Sequence, residues 1–242
     1  MGYVVVFGAL AALALGWVLV QVSETRRQMG LDRAARRLGM NFNFGLPREL
    51  RDAVDRFRCI EKAKEAGGDF QVGINTITGE RRGRKLAFFD YQWVTVQYWR
   101  DHRAGLWGTE RESRSTHTRS AVAAQMGVSL PPILIRPERL VDKAAALLGY
   151  EDIDFPSMPE FSRRFYVNSP DPAFARRFVT PRLAKFFLER VRCTVDVAGS
   201  WLLVSNDSVY RASQVSQLLE LASELADFVS REQSTPADPR GS

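Results

Sequence analysis

The sequence predicts an α+β fold: one N-terminal transmembrane helix, then a soluble domain with a mainly antiparallel sheet and several helices. The first supporting observation is an uncharged apolar run at the N-terminus. The second is the order of the remaining elements, which is helix, strands, helices, strand pair and helix. Such an order favours an antiparallel sheet, because a parallel sheet needs strands and helices that alternate.

Four segments follow from this pattern. They are a transmembrane helix over 1–22, a basic juxtamembrane stalk over 23–45, the α+β domain over 46–230 and a flexible tail over 231–242. A candidate sub-boundary within the domain lies near 127–137, where Pro131 and Pro132 interrupt the β-favouring pattern.

The apolar run covers Tyr3–Val22, which is 20 residues without a charged side chain. At a rise of about 1.5 Å per residue it spans roughly 30 Å, the thickness of a bilayer core. A cleaved signal peptide is the alternative, but it would need a basic start, a shorter apolar core and a cleavage site. Gly8, Ala12 and Gly16 would let a second transmembrane helix approach closely, unless they reflect ordinary membrane composition.

Five arginines follow the apolar run and form a basic collar: Arg26, Arg27, Arg33, Arg36 and Arg37. The positive-inside rule places this flank in the cytoplasm and the protein in the inner membrane, with a periplasmic body as the alternative. Cys59 and Cys193 are then expected to be reduced. The collar can also contact anionic lipid headgroups of the bilayer.

The first half of the domain begins with a helix whose apolar residues are Leu50, Val54, Phe57 and Ile60. The segments 70–77 and 85–99 favour strands and predict a hairpin. Residues 101–119 are polar and predict a mobile loop or a hairpin tip. Two short strands, SAVAAQM and ILI, are expected after it.

The second half predicts a helix after Pro137 that ends at Gly149. Asp171-Pro172 and Thr180-Pro181 are each typical of an N-cap followed by proline in the first helical turn. A hairpin is expected around Gly199, and the final helix has the apolar stripe that starts at Val215.

No motif in the chain indicates a reaction. There is no dinucleotide or P-loop glycine pattern and no nucleophile elbow. The two histidines, His102 and His117, and the two cysteines lack the spacing of metal ligands. The sequence therefore predicts no catalytic residues, no metal site, no cofactor and no enzyme activity.

Aromatic residues are dense near the predicted hairpin. Their density suits a sheet core or a protein docking face, for which the candidate residues are Tyr91, Trp93, Tyr98, Trp99 and Trp107. Stacking on nucleic acid would need interleaved basic residues, and few are present, so no nucleic-acid partner is predicted.

Four pieces of the chain resemble an uncharacterised family of bacterial membrane-anchored proteins. They are GRKLAFFDYQW, LPPILIRPE, GYEDIDFPSMPEFSRRFYVNSPD and the closing amphipathic helix, within residues 70–229. The resemblance implies an anchored architecture, and it brings neither an activity nor catalytic residues.

The leading functional hypothesis is a non-catalytic accessory subunit that docks on and stabilises a larger membrane protein complex, for example a respiratory or photosynthetic one. Other membrane protein subunits and the lipid bilayer are the expected partners. The alternatives are a membrane-surface sensor that binds anionic lipid through the arginine collar, and an unrecognised enzyme.

Overall fold

The computed structural model describes residues 2–65, 69–100, 110–138, 152–206 and 208–234. The helices within them are α1 (Gly2–Arg37), α2 (Arg48–Val54), α3 (Arg58–Glu65), α4 (Pro159–Arg164), α5 (Pro172–Phe178), α6 (Pro181–Arg190) and α7 (Val215–Ser234). The strands are β1 (Asn41–Asn43), β2 (Phe70–Arg81), β3 (Arg84–Arg100), β4 (Glu110–Pro137), β5 (Phe165–Asn168) and β6 (Thr194–Ser205).

All six strands form one antiparallel sheet, which is organised around β4. The first part of β4 pairs with β3, and its last residues pair with β5. On its other edge, β4 pairs with β6 between Ala121 and Ile135. The strands β1 and β2 extend the sheet beyond β3.

Both faces of the sheet are covered by helices, because successive side chains of a strand point to opposite faces. Leu86 and Phe88 belong to one buried cluster, together with residues of α1 and α4–α7. Ala87 and Phe89 belong to a second cluster beneath α2 and α3. The sheet is therefore the middle layer of three.

The helix caps predicted at Asp171 and Thr180 are confirmed. The Asp171 side chain accepts a hydrogen bond from the backbone N–H of Phe174, and Thr180 accepts one from Leu183. Proline occupies the first turn of both helices, where its missing N–H costs nothing. Leu50, Val54, Phe57 and Ile60 are all buried, as predicted.

The C-terminal half of α1 is part of the folded body. Leu31, Ala34 and Ala35 are buried in the first cluster. The side chain of Arg27 reaches the centre of the sheet, where its Nη2 lies 2.8 Å from both carboxylate oxygens of Asp90. Arg27 Nη1 also donates to the carbonyl oxygen of Tyr210, at 2.6 Å.

Asp90 is 1% exposed and is surrounded by donors. The Asn75 amide donates to it at 2.9 Å and the Ser120 hydroxyl at 2.6 Å. Burial of a charge is costly unless it is paired and hydrogen-bonded. Arg27 therefore compensates the carboxylate and fixes α1 on the sheet.

The transmembrane prediction needs correction. Within the described residues, no helix combines the length and the hydropathy that crossing a bilayer requires. Among the residues of α1 whose side chains are described, the apolar Leu15 and Val18 are followed within about two turns by the polar Gln21, Glu24 and Arg27. The expectations of a membrane-spanning helix over 1–22, a single-pass inner-membrane protein and a body on its cytoplasmic side are accordingly corrected.

Two strand predictions are also wrong. The sequence around Gly199 is not a hairpin turn, because β6 continues through it with Gly199 at a φ of +60° and paired with Leu130. Similarly, β4 is one strand rather than two. Pro131 and Pro132 lie where its register with β6 shifts, and such irregularities are the positions in a sheet that tolerate proline.

A mobile loop or hairpin tip is predicted over 101–119, but residues 110–119 belong to β4 in the structure. The single helix predicted after Leu46 is divided into α2 and α3. The helix predicted between Pro137 and Gly149 falls on residues 139–151, which lie outside the described residues.

We expect Arg27→Leu to lower the free energy of unfolding by about 3 kcal/mol, because it leaves a buried carboxylate without its counter-charge. Urea denaturation monitored by circular dichroism measures this change. The matched control is Arg26→Leu at the exposed neighbouring position, which should change stability by less than about 0.5 kcal/mol.

Adding Asp90→Asn to Arg27→Leu should recover part of the loss, because the uncompensated charge is removed. Equal effects of Arg27→Leu and Arg26→Leu would contradict the role of the buried pair.

Candidate docking surface

A two-stranded ribbon extends from one end of the sheet. We define the ribbon as residues 95–100 of β3 paired with residues 110–115 of β4. On its β2 side, β3 is paired up to Trp93, whose partner is Phe70, and β6 joins β4 only from Ala121 onward. Within the described residues, the two ribbon strands therefore pair only with each other over roughly 17 Å, at about 3.3 Å per residue.

The two faces of the ribbon differ in chemistry. Val96 and Tyr98 share one face with Val94 at its base, since they alternate along β3. Val96 is half-buried, whereas Tyr98 is 71% exposed. The other face carries polar side chains such as Thr95 and Gln97. We call the face with Val96 and Tyr98 the apolar face, although its β4 half carries Arg114 and Glu112, the cross-strand partners of these two residues.

The ion pair between Arg114 and Glu112 lies across the ladder from Val96 and Tyr98. Hydrogen bonding and the charge of Glu112 raise the pKa of the Arg114 guanidinium, so it stays charged. The apolar face therefore consists of an apolar half on β3 and a half on β4 that carries one cation and one anion.

Tyr91 and Trp93, two of the predicted docking residues, lie in the sheet core. Tyr91 is fully buried and Trp93 is 6% exposed, both under α2 and α3. Their rings stack with centroids 6.0 Å apart, and His117 stacks on the outer side of Trp93 at 5.1 Å. Burial raises the pKa of the Tyr91 hydroxyl, which therefore stays protonated.

The remaining predicted positions are placed as follows. The side chain of Trp99 and all of Trp107 lie outside the described residues, and the surroundings of Gly8 and Ala12 are likewise not described. At Gly16, an added Cβ would meet open space. The structure therefore brings Tyr98 to the surface of the ribbon and does not bring the five aromatic residues together.

The arginine collar is not a uniform surface. Arg27 is committed to Asp90, and Arg36 pairs with Asp32 on the same helix. Arg33 and Arg37 donate to backbone carbonyls one turn earlier, and Arg26 is exposed. At least one member of the predicted lipid-contacting set therefore has a structural role.

A second buried carboxylate lies on the opposite side of the sheet, at Asp196. Its Oδ2 accepts a hydrogen bond from the backbone N–H of Cys59 at 2.8 Å, at the start of α3. Its Oδ1 has no hydrogen-bond partner. Burial raises the pKa of Asp196 to about 7, although the Cys59 N–H and the charge of Arg58 act in the opposite direction.

Desolvation and the charge of Asp196 also raise the pKa of the Cys59 thiol well above its usual value. The thiol therefore stays protonated at neutral pH, and a protonated thiol is a poor nucleophile. In the described part of the chain, no three His, Cys, Asp or Glu side chains are grouped as metal ligands.

We next compared the chain with known proteins. No protein-family model matches it, and no curated protein matches its sequence. The fold is similar to that of TtfA. The crystal structure of this mycobacterial trehalose monomycolate transport factor A aligns with a TM-score of 0.52 and 15% identity, over 89% of this chain and 97% of TtfA.

At 15% identity, the likeness to TtfA shows a shared fold and nothing more specific. It covers most of both chains, so the helix–sheet–helix arrangement is common to the two proteins. The resemblance to an uncharacterised membrane-anchored family is not tested by this match and stays a prediction.

Sequence reasoning missed three features that organise the molecule. Asp90 and Asp196 are buried acids. Each stands within a β-favouring run of the sequence, and that position is the signal that could have identified it as a buried acid. The apolar face of the ribbon was hidden because its β4 half, rich in Ser, Arg and Thr, has the composition of a loop.

We expect Asp196→Asn to remove a pH dependence of stability. The folded pKa of about 7 exceeds the unfolded value of about 3.9, so the folded state alone holds this proton between those pH values. Stability from this group therefore falls as pH rises from about 4 to 7 and is constant above that range.

At pH 8, the free energy of unfolding of Asp196→Asn should be about 1–3 kcal/mol higher than that of the unsubstituted protein, since each pKa unit corresponds to about 1.4 kcal/mol. The difference should vanish near pH 4. Chemical denaturation across this pH range measures it, with exposed Asp154→Asn as the control. A difference that is independent of pH would contradict the assignment.

Proposed function

We propose that this chain is a non-catalytic accessory protein that docks on a larger membrane protein complex and stabilises it. The observation that supports this most directly is the ribbon. An isolated two-stranded hairpin is marginally stable in water, and here six consecutive residue pairs continue beyond the sheet with Tyr98 exposed. A partner that covers the apolar face would stabilise both the ribbon and the complex.

The edges of the ribbon offer a second kind of contact. Within the described residues, the outer edges of β3 and β4 along the ribbon have no ladder partner. Unpaired N–H and C=O groups on an extended strand can accept a strand from another protein. Side-chain contacts at Val96 and Tyr98 would then give such a pairing its register.

The fold likeness adds a transport setting to the proposal. TtfA is described as a transport factor for trehalose monomycolate. We take from this only the general role, an accessory protein of a transport assembly, and no substrate. Its membrane protein partner is the part of the proposal that experiment must identify.

The internal polar groups support a non-catalytic role. Asp90 forms an ion pair with Arg27 of α1, and Asp196 accepts a hydrogen bond from the backbone N–H of Cys59 in the first turn of α3. These two buried carboxylates are engaged in joining helices to the sheet, which is a structural task.

The test is to purify the tagged full-length chain from its native cells in mild detergent and identify the proteins that co-migrate in size-exclusion chromatography. We expect the same transport subunit to accompany the unsubstituted chain in stoichiometric amount. The double variant Val96→Lys/Tyr98→Lys should reduce its recovery at least about tenfold, because two charges would be buried at the contact.

The matched control is Thr95→Lys/Gln97→Lys, which adds the same charge to the same strand on the opposite face. It should keep the partner, and both variants should retain the melting temperature of the body. A monodisperse monomer from the unsubstituted chain, or equal loss in the two variants, would contradict docking through the apolar face.

A further inference from the structure

One hydrogen bond at the base of the ribbon identifies the backbone groups that β3 directs outward. In an antiparallel ladder, alternate residues of a strand direct both their N–H and their C=O to the same edge. The N–H of Val94 donates to the carbonyl oxygen of Asp69 at 3.0 Å, so Val94 faces the β2 side. The register of β3 with β4 is continuous up to its end, and Val96, Tyr98 and Arg100 therefore face the β2 side as well.

These outward groups lie beyond the point where β2 leaves the ladder. We call the N–H and C=O groups of Val96, Tyr98 and Arg100 the β3 edge. Within the described residues they have no ladder partner, because the pairing of β2 with β3 ends where Asp69 accepts from Val94. A strand lying along β3 in line with β2 would form up to about six backbone hydrogen bonds there, two at each residue.

Charge distinguishes the β3 edge from the opposite edge of the ribbon. Residues 110–115 of β4 read ERESRS, in which four of six side chains are charged. Residues 94–99 of β3 read VTVQYW, which contains neither a charge nor a proline and is rich in β-branched and aromatic residues. Charges and proline are features by which edge strands avoid pairing with other chains. The β4 edge has this protection, and the β3 edge lacks it.

We propose that the β3 edge takes up an extended strand of the partner, whose side chains alternate between β-branched or aromatic residues and small polar residues. This strand is the partner's docking element in the proposed function, on which the inference rests. Side chains directly opposite Val96 and Tyr98 share their face, where β-branched and aromatic pairs are favourable. The intervening side chains share the face of Thr95 and Gln97, which suits threonine or serine.

The backbone and the charges together assign the occupant to an uncharged strand. A row of extended N–H and C=O groups is satisfied by another extended chain, since a helix uses these groups internally. A charged residue beside Val96 would lose water without gaining an ion-pair partner on β3, because Arg114 and Glu112 lie on the far strand. A third strand would also stabilise the ribbon, since two-stranded hairpins are marginally stable.

The first test measures binding of a fluorescently labelled peptide of about ten residues to the full-length protein. Valine and threonine alternate in the peptide, and two terminal lysines keep it soluble. A valine opposite Val96 or Tyr98 directs its N–H towards the β3 edge, whereas the threonine N–H groups face away. We expect N-methylation of the valine amides to weaken binding at least about tenfold, and N-methylation of the threonine amides to change it less than about twofold.

Two proline variants of the protein locate the edge. Proline is tolerated on an edge strand where its missing N–H faces outward. Val96→Pro removes one donor from the β3 edge and should weaken peptide binding at least about tenfold. The matched control is Arg114→Pro, directly across the ladder, which should change binding less than about twofold. The N–H of Arg114 faces the other edge, as does that of Ser120, which donates to the carbonyl oxygen of Ser208 at 3.3 Å.

Five results would overturn the proposal. The first is no binding of the unmethylated peptide below about 1 mM. The second is equal weakening by the two methylation patterns, and the third is equal binding to Val96→Pro and Arg114→Pro when both retain the melting temperature of the body. The fourth is dimerisation of the unsubstituted chain that Val96→Pro alone abolishes, since a second copy would then occupy the edge. The fifth is peptide binding that appears only when residues 101–109 are replaced by a short glycine-serine linker.

Co-purification of the full-length chain separates this inference from the proposed function. If a strand docks on the β3 edge, Val96→Pro should lose the co-migrating partner and Arg114→Pro should keep it. If both proline variants keep the partner while Val96→Lys/Tyr98→Lys loses it, the partner covers the apolar face without adding a strand, and the inference alone fails. If all of these variants keep the partner, docking through the ribbon fails as a whole.

Discussion

The ion pair between Arg27 and Asp90 is the constraint on which much of the remaining structure depends. A carboxylate that is 1% exposed in the middle of a sheet would be unfavourable alone, and the guanidinium from α1 makes it acceptable. Because Arg27 also bonds to the carbonyl oxygen of Tyr210, one side chain joins the first helix, strand β3 and the segment before the last helix. The first and the last helix are thereby held on the same face of the sheet.

The opposite face has its own carboxylate, Asp196, and the two differ in how they are compensated. Asp90 has a counter-charge and three kinds of donor, whereas Asp196 has the backbone N–H of Cys59 and one oxygen without a partner. The first arrangement is stable when charged. The surroundings of Asp196 favour its protonated form. The attachment of α2 and α3 to the sheet therefore becomes less stable as the pH rises towards 7.

The sequence allows much of the fold to be predicted where a local signal decides the structure. Caps at Asp171 and Thr180 were identifiable because side chain, proline and helix start lie within four residues. In contrast, Gly199 was misjudged because its turn-like composition competes with ladder pairing across β4, which is a non-local effect. The same applies to the ribbon, whose polar β4 half becomes a strand only through its pairing with β3.

The candidate site was less predictable than the fold. Aromatic density predicts a docking face on β3, but burial depends on what covers each position. Tyr91 lies beneath α2 and α3, whereas Tyr98 lies in the ribbon and is exposed.

The length of β4 has a mechanical consequence. The strand runs from Glu110 in the ribbon to Pro137, where Glu138 bonds to the carbonyl oxygen of Arg164. A force applied to the ribbon along the strand would load its hydrogen bonds with β3 and β6 side by side, in shear, rather than open them one at a time. Strand β4 therefore carries a pulling force from the ribbon to the opposite end of the sheet.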